Sequence, residues 1–154
     1  MKVPRPPGLD ASHSKVIVKW MSQANVWLYR KTKGKWGGRF RGVPVVLLTA
    51  TGRKSGQPRT TPLLYLRDGD DVVVVASTGG MATHPLWYLN LQANPECSIT
   101  LDGEDSPRTA RTADPDEKAR LWPLLNELYS DFDMYQQWCE DSREIPVVIL
   151  SPAP

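Results

Sequence analysis

The sequence predicts an α+β fold built on a largely antiparallel sheet or barrel of about six strands. Three observations carry this expectation. Short apolar runs bounded by Gly, Pro and Asp recur from Val43 onwards, and such runs read as strands. Helical spacing of apolar residues is confined to a few segments. Strands and helices do not alternate, which argues against a parallel βαβ sheet. At 154 residues the chain fits one domain, expected over 15–150, with a flexible segment at 1–14 and a short tail at 151–154. A chain of this size buries roughly 70% of its unfolded surface and needs no disulfide staple.

The elements follow in order. Pro4, Pro6 and Pro7 make the start extended. A helix begins near Ser12 or Ser14, and Ile17, Trp20, Met21, Ala24, Trp27 and Leu28 share one of its faces. That face either packs on the core or, with Lys15, Lys19, Arg30 and Lys31 around it, lies on an acidic membrane surface. Lys33 to Gly42 reads as a loop. Val43–Ala50 and Arg59–Arg67 are the arms of a hairpin, with Pro62 marking an edge or bulge. Val72–Ala76 is a strand covered on both faces, leaving through Ser77-Thr78-Gly79-Gly80. Thr83 caps a short helix that starts near Pro85 and stops at Asn94-Pro95. Cys97–Leu101 and Arg108–Ala113 are strands about Asp102-Gly103. Asp114, Pro115, Asp116 and Glu117 open a helix that reaches about Tyr129. A second short helix spans Asp131–Glu140, and Ile145–Leu150 is a last strand that Pro146 places at an edge.

The stretch Val43 to Leu66 organises the rest. Its turn, TGRKSGQPR, combines Gly52 and Gly56 with Arg53, Lys54 and Arg59 and the hydroxyls of Ser55 and Thr60. Glycines let backbone N–H groups converge, and Arg and Lys match phosphate or carboxylate. The run reads equally as an anion cradle or as a solvated basic turn. Charge points the same way. Residues 1–67 carry 14 Lys and Arg against one acid, Asp10, and residues 68–154 carry 5 against 16, so +13 and −11 sum to the overall +2. An anionic partner for the first half explains this, as does neutralisation of one half by the other across the fold.

The chemistry is bounded by what is missing. His13 and His84 stand in different regions without ligand-like neighbours, and no Cys/His spacing suits a metal. There is no nucleophile elbow, phosphate-binding loop, dinucleotide fingerprint or recognised nucleic-acid-reading motif. Cys97 and Cys139 are too few for a disulfide framework and suggest a reduced, cytoplasmic protein. No run reaches the ~20 apolar residues of a spanning helix. An anion cradle, small-residue strand exits and many aromatics remain, a combination that implies chemistry borrowed from a bound cofactor with an aromatic head and an acidic tail.

LLTATGRKSGQPRTTPL, the ASTGG exit, HPLWYLNLQANP and the closing IPVVIL together resemble the deazaflavin (F420)-dependent nitroreductase family, F420H2-dependent reductases with a split β-barrel of the FMN-binding type. The resemblance spans Val16 to Leu150. It implies hydride transfer from reduced deazaflavin to a planar, electron-poor acceptor such as a quinone, coumarin-like lactone, enone or nitroaromatic. It implies a phosphate-and-tail cradle at Arg53, Lys54, Ser55 and Arg59. Thr60, Thr61, Pro62, Leu63 and Leu64 would run beside the linker and ring. Val75, Ala76, Ser77 and Thr78 would meet the ring, and Leu86, Trp87, Tyr88, Leu89 and Asn90 would border the cofactor. Tyr129, Phe132 and Tyr135 would wall the substrate, with Tyr129, Tyr135 and Ser77 as candidate proton donors beside solvent. It also leans towards a monomer. Two positions depart from the family's pattern: Thr78 stands where a lysine is frequent and Phe132 where a tyrosine is. Both weigh against nitroimidazole activation and leave reductase chemistry intact. FMN in the same barrel, or a non-catalytic flavin-type binder, are the rival readings; FMN has a single phosphate and no glutamate tail to occupy so many cations.

Overall fold

The computed structural model describes residues 23–33, 39–40, 42–80, 82–140 and 142–154. Its elements are α1 (Gln23–Lys31), β1 (Arg39–Phe40), β2 (Val43–Thr51), β3 (Pro58–Leu64), β4 (Leu66–Asp68), β5 (Asp71–Val75), a 3₁₀ turn (Thr78–Gly80), α2 (Leu86–Ala93), β6 (Glu96–Leu101), β7 (Glu104–Thr112), α3 (Pro115–Leu128), α4 (Asp131–Cys139) and β8 (Val147–Pro152). Every ladder is antiparallel. The sheet runs β1-β2-β6-β7-β8-β5-β4, with β3 on the other side of β2. Because β3 also touches β5, six strands close around a core, and β1 and β4 extend beyond it.

Side-chain alternation along the strands sorts the apolar residues into two main cores. Val72 and Val74 of β5 and Val148 and Leu150 of β8 point into the barrel, together with Val46, Leu48 and Ala50 of β2. Val73, Val75, Val147 and Ile149 point outward and are covered by Leu121 and Leu125 of α3 and Phe132 and Tyr135 of α4. A third cluster joins Leu47 of β2 to Val26 and Tyr29 of α1. The unbroken Val run of β5 is therefore buried on both faces, as expected. Each such side chain contributes roughly 1.5–3 kcal/mol by leaving water. α2 sends Trp87, Tyr88 and Leu91 into the barrel core.

Several expectations are corrected. The second hairpin arm ends at Leu64, because Leu66–Asp68 turns away to pair with Asp71–Val73. Pro62 does lie on a strand paired on one side alone, as expected of an edge, since β3 is bonded only to β2. Arg39–Phe40, expected as loop, forms two residues of strand on β2. β7 begins four residues before Arg108: Asp102 (φ 52°) and Gly103 (φ 83°) make a tight turn that carries Glu104–Pro107 straight into register with β6. Thr83 does not cap α2; Pro85 holds the N-cap, and its carbonyl accepts from Tyr88 and Leu89. Pro146 does not mark an edge. It precedes β8, where its carbonyl accepts from the Ala76 N–H, and β8 is central, between β5 and β7. β8 continues to Pro152, so the strand reaches into the expected tail. On α1 the buried pair is Val26 and Tyr29, and Trp27 is 58% exposed, so the packed face is turned away from the one expected. The helix start at Ser12 or Ser14, and Ile17, Trp20 and Met21, lie outside the described residues, as do Lys15, Lys19 and His13.

α3 starts as its sequence predicts. The Asp114 carboxylate accepts from the Glu117 N–H (2.8 Å), and Glu117 accepts from the Asp114 N–H (3.2 Å), a capping box. Arg111 of β7 donates two hydrogen bonds to Glu117, at 2.6 and 2.7 Å. These bonds, and then the Asp114 N–H, hold the Glu117 carboxyl down at about 2. A depressed acid stabilises the fold above its unfolded pKa and loses that contribution as pH falls through the folded value. Thermal melts of Glu117→Gln against the native protein should therefore differ most near neutrality and converge between about 4.5 and about 2. A gap that does not change with pH would rule out this linkage.

Candidate active site

β2 and β3 stay paired as far as Thr51 and Pro58, leaving Gly52–Gln57 to reverse the chain. The Gly52 N–H donates to the Gln57 carbonyl and the Gly56 N–H to the Gly52 carbonyl, each at 2.8 Å, with Gly56 at φ +69°. A Cβ on Gly52 would lie 2.6 Å from Ser55 Oγ and 3.3 Å from the Gln57 carbonyl oxygen, so a larger residue would force the Ser55 hydroxyl to turn away. Ser55 Oγ accepts from the Gln57 N–H (3.2 Å) and from Arg59 Nη2 (3.5 Å). Arg53, Lys54, Ser55 and Arg59 are all exposed. The cations of the second half are used differently: Arg111, Lys118 and Arg120 pair with Glu117, Glu144 and Asp68. Among the described residues no carboxylate pairs with Arg53, Lys54 or Arg59, so neutralisation by the acidic half does not extend to the tip. Thr60 bonds Thr49 (2.8 Å) and accepts from Arg30 of α1 (3.4 Å), which adds a fourth cation at the flank.

The tip is tied to α2. The Arg53 N–H donates to Oδ1 of the buried Asn90 at 3.1 Å. Of the other α2 residues singled out, Leu86 is 69% exposed and Leu89 half-buried, whereas Trp87 and Tyr88 fill the barrel, Tyr88 bonding Thr112 at 2.9 Å. Along β3, Thr61, Leu63 and Leu64 are half-buried and Pro62 is buried. The structure thus joins the basic tip to Asn90 and buries Pro62, Trp87 and Tyr88.

The exit of β5 is the second part of the site. Val75 pairs with Val147, and Ala76 is fully buried, its N–H donating to Pro146. The Ala76 backbone groups are thus engaged within the protein, its carbonyl accepting from Arg143, and Ser77 and Thr78 are the exit's half-buried residues. Thr78 adopts φ +46°, an uncommon conformation for a β-branched residue, and its buried Oγ1 has no hydrogen-bond partner among the described residues. Arg143, which the sequence reading missed, organises this corner. It donates through Nη1 to the Ala76 carbonyl (2.9 Å) and through Nη2 to the Ser77 carbonyl (2.7 Å), and Nη1 also lies 3.1 Å from His84 Nδ1. Burial holds the guanidinium below its ordinary range. The His84 ring packs 5.0 Å from that of Tyr88. The available signal was Arg143's position as the one cation after Arg120 in a strongly acidic stretch.

α4 presses on the same corner. A Cβ on Gly80 (φ +79°) would meet the Tyr135 Cα and carbonyl oxygen at 3.0 Å. Tyr135 and Phe132 are buried and Tyr129 half-buried. The Tyr129 and Tyr135 hydroxyls are 3.1 Å apart, and the Tyr129 and Phe132 rings meet edge-on at 5.1 Å. Burial, reinforced by Tyr135, pushes the Tyr129 phenol far above its ordinary pKa, so it holds its proton. Of the three aromatics, Tyr129 is thus the one that reaches the surface. Among the described residues no group of His, Cys, Asp and Glu suits a metal ion. Cys97 is likewise unsuited to chemistry, since burial pushes its thiol up to about 11.

Exposed cations with no carboxylate partner among the described residues, a close turn at Gly52 and a Thr78 hydroxyl with no hydrogen-bond partner among those residues together suit a ligand with an acidic end and a polar ring. Residues 20–152 match the family model described as F420H(2)-dependent quinone reductase. The chain belongs to this family. The F420H(2)-dependent quinone reductase Rv1261c of Mycobacterium tuberculosis is 44% identical over 128 residues, covering 80% of this chain and 85% of that protein. The solved F420-H2 dependent reductase FDR-A superposes with a TM-score of 0.64 at 39% identity, over 70% of this chain and 94% of that one. Another solved relative, described as a domain-swapped dimer, gives 0.65 at 35% identity over 84% of this chain and all of that one. HutZ of Vibrio cholerae, at 13% identity and TM-score 0.54 over 86% of this chain and 90% of that one, shares the split-barrel fold alone. Family membership makes this chain an oxidoreductase that uses F420H2 as reductant to reduce quinones.

Proposed function

We propose that the Gly52–Arg59 tip and Asn90 hold the acidic end of F420H2, that the Ser77–Thr78 exit borders its ring, and that Tyr129 faces the acceptor. The carrying observation is the tip itself: three exposed cations without carboxylate partners among the described residues, locked to α2 through the Arg53 N–H and Asn90. Bound F420H2 supplies the hydride. The chain's contribution is to hold donor and acceptor together, keep bulk water from the barrel side with Trp87 and Tyr88, and place hydrogen-bond donors where charge develops. Acceptors in this reading are planar and electron-poor: quinones, and by the same chemistry coumarin-like lactones, enones and nitroaromatics. With its raised pKa, Tyr129 donates a hydrogen bond and retains its proton, and the proton that completes the reduction comes from water. Tyr135, buried behind it, orients the Tyr129 hydroxyl. Tyr129→Phe should lower kcat for a quinone about 10-fold with F420 affinity unchanged, on the scale of one lost neutral hydrogen bond. A change under twofold would remove Tyr129 from the acceptor side.

The overall reading is tested by titrating the purified protein with F420 and with FMN while following ring fluorescence, then supplying F420H2 and a quinone. Uptake of F420, weak uptake of FMN and quinone-dependent oxidation support it; preferential FMN uptake, or F420 uptake without turnover over a broad acceptor panel, contradicts it. The working form in this reading is a monomer in a reducing cytoplasm, where Cys97 and Cys139 remain thiols. Among the described residues no helix is long and apolar enough to cross a membrane. Exposed Trp27, with Lys31 Nζ 4.7 Å from its ring centroid, supports peripheral contact with a membrane surface.

A further inference from the structure

We infer that His84 is a fixed, neutral hydrogen-bond donor to the acceptor's carbonyl oxygen, and that Arg143 is the positioning residue that sets its tautomer. This rests on the β5 exit being where reduction occurs. Arg143 can only donate, so at 3.1 Å from its Nη1 the His84 Nδ1 must carry a lone pair. The neutral ring then bears its proton on Nε2. Arg143 cannot turn away freely, because the same guanidinium also holds the Ala76 and Ser77 carbonyls at 2.9 and 2.7 Å. Protonating Nδ1 would break the contact and set two cations side by side. Burial and then Arg143 accordingly lower the His84 pKa. Tyr88, packed against the ring from α2, presents no opposing charge; its hydroxyl is engaged by Thr112.

Nε2 has no partner among the described residues, and it is not among their buried unsatisfied atoms, so its N–H is open to a ligand. Through Arg143 it is coupled rigidly to Ser77, the residue beside the orphaned Thr78 hydroxyl. A quinone that accepts a hydride gains two electrons and one proton, and the remaining negative charge sits on oxygen. An imidazole N–H aimed there stabilises that charge without ionising, since a neutral ring is far too weak an acid to surrender its proton. The second proton reaches the oxygen through water, and the proton that F420H2 loses together with its hydride restores that water, so no net hydroxide forms. The same electrostatic logic applies to any acceptor that develops an oxyanion.

Nitrogen NMR of the ligand-free protein, assigned with His84→Gln, reads the tautomer directly. A protonated Nε2 and bare Nδ1 at neutral pH are expected; a protonated Nδ1 or an imidazolium at neutral pH would overturn the assignment. With F420H2 and a quinone, His84→Ala should lose about 10²-fold in kcat, the scale of one donor to a developing oxyanion, at unchanged F420 affinity. His84→Gln, whose amide N–H falls near Nε2, should recover most of it. A His84→Ala loss under twofold, or no recovery by Gln, refutes the role. Reduced F420 affinity in His84→Ala would instead make it a cofactor contact and also refutes it. Failure of the native protein to take up F420 would refute the site reading and the role of His84 with it.

Discussion

Replacing Arg53, Lys54 and Arg59 together by alanine is expected to weaken F420 binding about 100-fold and leave the fold unchanged. All three side chains are exposed, so each contact is worth only about 1 kcal/mol, and three sum to the ~3 kcal/mol that corresponds to such a loss. None has a carboxylate partner among the described residues, so their removal strands no buried charge. The backbone frame of the tip survives, because Gly52, Gly56 and Gln57 hold it through main-chain bonds. Binding by the native protein should weaken as salt rises, and that dependence should largely vanish in the triple variant. Fluorescence titration at low and high salt, with thermal melting as a control for folding, checks both statements. Equal affinity in the two proteins would exclude the tip as the anion site.

Gly80→Ala is expected to be the most damaging single methyl group near the site. Gly80 has φ +79°, where a Cβ costs roughly 1–2 kcal/mol, and the added carbon would lie 3.0 Å from the Tyr135 backbone. Backbone cannot yield as a flexible side chain can, so α4 must shift or the turn must open. A loss of about 3 kcal/mol in unfolding free energy is the expected scale, together with lower turnover, because the displaced helix carries Tyr135 away from Tyr129. Denaturant unfolding measures the first and steady-state kinetics the second. Stability within about 0.5 kcal/mol of the native protein would show that the Gly80 contact does not constrain this corner.

These two sites show why some of the molecule was legible in the sequence and some was not. The hairpin announced itself because its determinants are local: apolar runs on either side, two glycines and a cluster of cations within nine residues. The α3 capping box was equally local, with Asp114, Pro115 and Glu117 inside four positions. The double burial of β5 followed from its unbroken valines. Misread elements were decided by partners remote in the chain. Pro146 looked like an edge signal, but its carbonyl completes the end of β5 from outside the ladder. Residues Glu104–Pro107 looked like loop, and only register with β6 made them strand. That Trp87 and Tyr88, expected beside the cofactor, are also buried in the barrel core depends on how α2 packs against β2. Arg143 and His84 were invisible for the same reason. They are 59 positions apart, and nothing local says that one guanidinium will hold two carbonyls of the β5 exit together with an imidazole.

The central claim is that the tip grips the acidic end of the cofactor. Comparing the affinity of the native protein and the triple variant for F420 and for a deazaflavin lacking phosphate and glutamates tests it most directly, because the four values form a double-difference cycle. The native protein should prefer F420 by about 100-fold, and the variant should bind both ligands about equally. A preference for F420 that persists undiminished in the variant would place the acidic end elsewhere on the protein.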